Sequence, residues 1–165
     1  MPAGQKKVFA TPLTAVETTD KEGVGTIRIE GNKIYKWVKL LNSTANVSGV
    51  AGDLVAYAKN GYDQHTVVTD FTDADAAPVG AGLLVASVQG QAGTAEYCWI
   101  QIAGPATANQ ALGGSPGEGA PLMASSTDKA LTLATANTTT GALNGLPIAA
   151  AVDVAGKKVA LNCPF

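Results

Sequence analysis

Short apolar runs separated by turn-forming residues dominate the chain from residue 25 onward. In residues 25–42, apolar and polar positions alternate on both sides of Gly31-Asn32, a pair favoured in two-residue hairpin turns. Further runs lie at residues 53–59, 66–69, 82–88, 95–104, 120–125, 130–135, 146–152 and 157–163. Short runs bounded by Gly, Asn, Asp and Pro predict an all-β fold, either a small barrel or a sandwich. Short helices are favoured only at residues 72–78 and 106–112.

The two halves of this β region resemble each other. A Gly-led strand, a polar turn, a second strand, a loop and a proline recur in the same order, starting at Gly52 and at Gly119. Each half then closes with another strand. Residues 52–104 and 119–163 are therefore predicted to be pseudo-repeats within one β domain of residues 25–165.

Residues 1–24 show no sustained hydrophobic period and are predicted to form an extended N-terminal arm. A terminal segment of this kind is commonly disordered. The alternative is an arm that becomes ordered by lying across a neighbouring molecule, for example by adding a strand to an exposed sheet edge.

The second strand of the hairpin is partly apolar on both faces. Tyr35 and Trp37 share one face with Lys39, while Ile34 and Val38 share the other. Tyr35 and Trp37 on an outer face would predict a surface that another subunit covers. Packing of Trp37 in the core is the alternative that the pattern favours.

The composition points to a weakly charged surface. Of the 165 residues, 46% are hydrophobic and only 15% are charged, and the formal net charge is -2. Typical soluble domains carry about 25% charged residues. The scattered Lys and Arg form no basic stripe of the kind that binds nucleic acid. No apolar run is long enough for a transmembrane helix and no signal peptide is evident, so a soluble, unexported protein is expected.

A G-x-S-x-G motif surrounds Ser115, and in serine hydrolases this motif carries the nucleophile. That elbow needs a following helix and a backbone N–H from the next residue, which here is Pro116 and has none. The only histidine, His65, also precedes the serine, against the order of that fold. A turn is therefore predicted at Ser115, and no enzyme activity is expected.

Other chemistry-bearing residues do not form a convincing site. Asp70, Asp73 and Asp75 lack the glycine and the glutamate of a calcium loop and predict an ordinary acidic turn. Cys98 and Cys163 have no metal-ligand spacing and predict buried thiols. No cofactor and no metal is predicted.

Residues 95–134 and the ending at residues 156–165 carry a resemblance to a known family. The Trp-Ile-Gln-Ile strand from Trp99, the Gly-Pro-Ala exit from Gly104 and the final Asn-Cys-Pro-Phe are its main features. In these features the sequence resembles small virion proteins of tailed bacteriophages, the capsid decoration or cement proteins. The resemblance spans roughly residues 50–165.

The resemblance implies a structural protein of the capsid exterior, made in the cytoplasm of the host bacterium. It implies binding to the major capsid protein of an assembled head, often as a trimer that bridges capsomers. The expected alternative is a head-fibre or tail-associated module that binds the host surface.

Two sets of contact residues are predicted on this basis. The capsid-binding arm would use basic and apolar side chains near the N-terminus, namely Lys6, Lys7, Val8, Phe9, Leu13 and Val16. The homotypic interface would use residues of the two tryptophan-containing strands, namely Tyr35, Trp37, Trp99 and Gln101.

Overall fold

The computed structural model describes residues 8–59, 65–74, 78–112, 115–136, 143–155 and 157–164. Over these residues the chain forms twelve β-strands and a single 3₁₀ turn, Phe71–Asp73. The strands are β1 (Val16–Glu17), β2 (Ile27–Glu30), β3 (Lys33–Leu40), β4 (Leu54–Tyr57), β5 (Thr66–Val68), β6 (Gly80–Leu84), β7 (Glu96–Thr107), β8 (Ala111–Leu112), β9 (Pro121–Ala124), β10 (Leu131–Leu133), β11 (Ala149–Ala151) and β12 (Lys158–Asn162). The all-β prediction is confirmed.

The predicted hairpin is present in the predicted register. Glu30 in β2 faces Lys33 in β3, so that only Gly31 and Asn32 form the turn. Gly31 has a φ of +58°, a conformation that costs glycine little. The helix expected at residues 106–112 is wrong, because these residues continue β7 and form β8.

The first unit, β3 to β7, is a closed barrel. Its strands are hydrogen-bonded in the order β3-β5-β4-β6-β7, and β7 returns to β3 along most of its length. The β3–β5 contact is parallel and the others are antiparallel. Closure leaves no free sheet edge among these five strands, which removes a common route to aggregation.

The second unit, β8 to β12, repeats this arrangement in mirror order along the sheet. Across the sheet, the strand order β3-β5-β4-β6-β7 of the first unit is followed by β12-β11-β9-β10-β8 of the second. β8 is parallel to β10, as β3 is parallel to β5. The two units join where the second half of β7 pairs with β12, from Ala103 to Thr107. The predicted repeats, residues 52–104 and 119–163, leave out β3 and β8, the first strands of these two units.

One hydrophobic core runs through both units. Alternate residues of β7, Cys98, Ile100 and Ile102, belong to the same buried cluster as Leu122 and Ile148 of the second unit. The contact between units is close at Gly80, where an added Cβ would lie 2.2 Å from Ile148 Cδ1. The second unit therefore packs on the first instead of forming a separate domain.

Residues 8–24 lie against their own chain. β1 pairs with β7 through Val16 opposite Cys98, and Phe9 and Leu13 pack on the barrel. The predicted extended arm is thus, from residue 8 onward, a covering segment of the first unit.

Candidate functional site

The outer face of the first unit carries a buried aromatic cluster. Trp37 and Trp99 are fully buried and contact each other edge to face, with ring centroids 5.2 Å apart. Phe9 covers Trp99 from the N-terminal segment at 5.6 Å between centroids. Edge-to-face aromatic pairs of this kind add about 0.5–1.5 kcal/mol to the burial of their surface.

Polar contacts fix the covering segment on this cluster. The Trp99 Nε1–H donates to Thr11 Oγ1 at 3.0 Å, and Thr11 Oγ1 donates to Glu22 at 2.7 Å. The Trp37 Nε1–H donates to Asp20 Oδ1 at 2.8 Å. Burial acts to raise the pKa of Asp20, but this bond and backbone N–H groups at Val24 and at neighbouring residues together hold that pKa below its ordinary value.

These contacts correct the predicted homotypic interface. The side chains of Tyr35, Trp37, Trp99 and Gln101 are all buried within one chain, so they offer no free face to a second copy. Gln101 is further occupied, since its Nε2 donates to the carbonyls of Ala103 and Pro105. Alternation shows which side chains share a face, but not which distant segment covers that face.

The residues of the predicted capsid-binding arm fall into three groups. Lys6 and Lys7 lie outside the described residues. Val8 is 88% exposed and remains free for an intermolecular contact. Phe9, Leu13 and Val16 are partly buried against their own barrel, and the Arg28 guanidinium lies 4.8 Å from the Phe9 ring centroid. These three anchors therefore belong to the fold of the chain itself.

Ser115 and His65, the two residues considered as catalytic groups, occupy structural positions. Ser115 is exposed and leads through a turn at residues 118–119 into β9, so no helix follows it. The ring of His65 lies against Gly25, where an added Cβ would be 2.6 Å from His65 Cε1. Over the part of the chain that the structure describes, no group of His, Cys, Asp and Glu could hold a metal ion.

The predicted acidic turn is an interlocking set of caps. The carboxylate of Asp70 accepts from the Thr72 backbone at 3.0 Å, and that of Asp73 accepts from the Ser43 hydroxyl at 2.9 Å. Burial tends to raise the pKa of Asp73, but the hydrogen bonds from Thr44 and Ser43 leave it lowered. Asp75 lies outside the described residues.

Both cysteines are free and buried, as predicted. Burial raises the pKa of the Cys98 thiol to about 12, with the Glu96 charge acting in the same direction. Burial likewise raises the pKa of the Cys163 thiol to about 12. Neither thiol has the lowered pKa of a reactive cysteine.

A buried lysine in β3 contacts the tyrosine that binds the C-terminal segment. Lys36 is 2% exposed, and its Nζ lies 3.4 Å from Tyr57 Oη. The Tyr57 hydroxyl in turn donates to the Pro164 carbonyl at 2.8 Å. Burial raises the pKa of Tyr57 to about 12. This contact holds the C-terminal segment on the first unit.

Part of the outer face of the second unit is exposed and is lined by small apolar side chains. Four residues face one another across β9, β11, β12 and β7, and we call them the small-residue row: Pro121, Ala150, Ala160 and Pro105. Pro121, Ala160 and Pro105 are exposed, while the alternate residues Leu122, Val159 and Leu161 are buried in the core. The corresponding face of the first unit is the one that residues 8–24 cover.

Comparison of the chain with models of known protein families, with curated proteins and with solved structures finds no match of any of the three kinds. Among the described residues, no helix has the length and apolar character to cross a membrane. The function is therefore inferred from the residues and their geometry.

Proposed function

We propose that this chain is a structural virion protein of the capsid decoration type. It binds the outer surface of an assembled bacteriophage head through the major capsid protein, as a homo-oligomer for which a trimer is the favoured order. It stabilises contacts between capsomers and has no catalytic role. The resemblance of residues 50–165 to decoration proteins is one support for this proposal.

The exposed small-residue row of the second unit is the observation that carries the proposal. Residues 8–24 cover the aromatic cluster on the outer face of the first unit, whereas Pro121, Ala160 and Pro105 on the second unit are exposed. A flat sheet face with small side chains lets another protein backbone approach closely. Exposed apolar side chains also flank this face, including Leu146 at 54% and Val152 at 55%. A weakly charged surface with such a patch is typical of protein–protein contact.

Many weak contacts suit a protein that acts on a repeating shell. Each copy adds a modest contact area, and simultaneous binding to adjacent subunits raises the effective concentration of the second contact. A protein that binds only the assembled shell also shifts the equilibrium towards that shell by mass action. Stable attachment to the shell therefore does not require a single high-affinity binding site.

The direct test is the copy number of the chain on purified heads. We expect a number comparable to that of the major capsid protein, together with heads that burst at lower temperature when the chain is omitted. A few copies at one vertex would contradict decoration and favour a host-binding module. Heads that bind none of the folded chain would reject both.

A test of the N-terminal segment in capsid binding requires a deletion that leaves the aromatic cluster covered. Removing residues 1–20 would expose Trp99 and remove the Asp20 partner of Trp37, so a loss of binding could reflect misfolding. Removing residues 1–7 leaves these contacts intact. If Lys6 and Lys7 contribute, head occupancy by this shorter chain falls while its melting temperature is unchanged.

A further inference from the structure

A shallow groove of about 350 Å³ lies at one end of the small-residue row. Its floor is apolar and its sides carry two lysines. It is lined by Lys33, Pro105, Ala106, Thr107, Val152, Lys158 and Val159. The groove forms where the hairpin β2–β3 meets the junction of β7 and β12, at the point where Ala160 faces Pro105 and Lys158 faces Thr107.

The lysine ammonium groups at this groove have no partners within the part of the chain that the structure describes. No ion pair or hydrogen bond of Lys33 Nζ or Lys158 Nζ occurs among the described residues. Two carboxylates belong to the same strand ends, and each has hydrogen-bond partners near the groove. Glu30 pairs with Arg28. Asp153 Oδ1 accepts from the backbone N–H groups of Lys157 and Lys158 at 2.9 and 3.2 Å.

The two ammonium groups of Lys33 and Lys158 outweigh the neighbouring Asp153 carboxylate, so the groove is locally positive on a chain whose net charge is -2. Carboxylates on a partner would be repelled weakly by the whole molecule and attracted locally, which favours one orientation of docking. The floor adds burial of apolar surface but no room for large rings, since Pro105, Ala106 and Val152 leave only a shallow depression. The matching occupant is an extended segment with small apolar side chains and at least one carboxylate.

We propose that this groove and the adjacent small-residue row bind an extended segment of another protein, with a carboxylate of that segment placed between Lys33 and Lys158. The proposal rests on the proposed function in one respect, namely that the partner protein is the subunit of the shell. In this arrangement the second unit faces the shell, and the first unit keeps its own N-terminal cover.

The first experiment tests the groove with defined peptides. The probes are two capped hexapeptides, Ala-Val-Glu-Val-Asp-Ala and its counterpart Ala-Val-Lys-Val-Lys-Ala, added to the isotopically labelled full chain. We expect the acidic peptide to shift amide resonances of residues 105–107, 150–152 and 158–160, and the basic peptide to leave them unchanged. Equal shifts from both peptides, or none from the acidic one, would overturn the proposal.

Charge reversal separates the groove from the rest of the surface. The double variant Lys33→Glu with Lys158→Glu is expected to bind the acidic peptide about 10-fold more weakly or worse, because attraction becomes repulsion. The control variant, Lys21→Glu with Lys39→Glu, makes the same change in net charge on the first unit and is expected to bind as the unmodified chain does. Equal losses in both variants would show a general charge effect and reject the site.

The second experiment uses heads that lack the chain and distinguishes this inference from the proposed function. Heads that bind the unmodified chain and the control variant, but not the groove variant, support both. Heads that bind all three equally leave the proposed function standing and overturn the groove as the contact with the shell. Heads that bind none reject the proposed function, while the peptide experiment decides the groove independently. Dissociation of the oligomer by the groove variant would identify a second copy as the occupant and reject the proposal.

Discussion

Trp99 donates its indole N–H to Thr11 Oγ1 over 3.0 Å, which ties β7 to a residue 88 positions earlier in the chain. The same hydroxyl donates to Glu22, and the Thr11 backbone N–H donates to the same carboxylate at 2.7 Å. Thr11 is buried although it lies in an irregular segment. One side chain thus fixes the N-terminal segment over the aromatic cluster.

Replacing Thr11 by valine should destabilise the fold. Thr11→Val keeps the shape of the side chain but leaves the buried Trp99 N–H without its acceptor, at a cost of about 1–3 kcal/mol in the free energy of unfolding. Urea denaturation followed by tryptophan fluorescence measures it. Thr14→Val, at an exposed position of the same segment, is the control and should change the free energy of unfolding by less than about 0.5 kcal/mol. Equal effects in both variants would show that the hydrogen bond does not fix the segment.

The bend of β7 at Gly104 should not tolerate a side chain. Gly104 has a φ of +91°, and an added Cβ would lie 2.1 Å from the Asn32 carbonyl oxygen of the hairpin turn. Gly117 is a matched control, since its φ is +86° but no atom of the described residues would lie within 4 Å of an added Cβ. Gly117→Ala should lower the free energy of unfolding by about 1–2 kcal/mol for the backbone conformation alone. Gly104→Ala should lower it by at least about 2 kcal/mol more, because backbone atoms have to move. Similar losses in thermal unfolding of the two variants would argue against the close approach of β7 and the hairpin.

The thiols of Cys98 and Cys163 should be unreactive in the folded protein. With a pKa of about 12 for Cys98 and Cys163, only about one molecule in 10⁴ carries a given thiolate at pH 8, and burial blocks access as well. A chromogenic disulfide reagent should therefore react within minutes only after unfolding in guanidinium chloride. A Thr18→Cys variant, with a thiol at an exposed position, should react at once while the native cysteines do not. Rapid reaction of the native chain would contradict the buried placement of both cysteines.

Ionisation of Tyr57 should account for part of the loss of stability in alkaline solution. The folded chain keeps this phenol neutral up to a pKa of about 12, whereas the unfolded chain ionises near the ordinary value of about 10. The contribution of this difference in the Tyr57 pKa to the free energy of unfolding is therefore complete below about pH 10 and is lost as the pH rises towards 12. Tyr57→Phe should cost about 1 kcal/mol at pH 7 through the lost bond to Pro164, and should show a shallower decline between pH 9.5 and 11.5. A difference between the two proteins that does not change with pH would contradict the link.

Strand positions were predictable because they depend on neighbours in the sequence. The Gly31-Asn32 turn and the flanking alternation placed β2 and β3, and every apolar run named from the sequence overlaps a strand. Residues 106–112 were mistaken for a helix, because their alanines have high helix propensity while the pairing of Val159 with Ala106 is invisible in a local window. The same limit applies to Lys36, which alternation places on the inner face but whose charge predicts exposure.

The β class and the β2–β3 hairpin could be predicted from the sequence, because each depends on local periodicity or on the chemistry of adjacent residues. Which apolar faces become core depends on the tertiary structure. Tyr35, Trp37 and Trp99 are interior because residues 8–24 cover them, whereas most of the small-residue row is exposed. Alternation assigns a side chain to a face, but burial of that face depends on contacts between segments far apart in the chain.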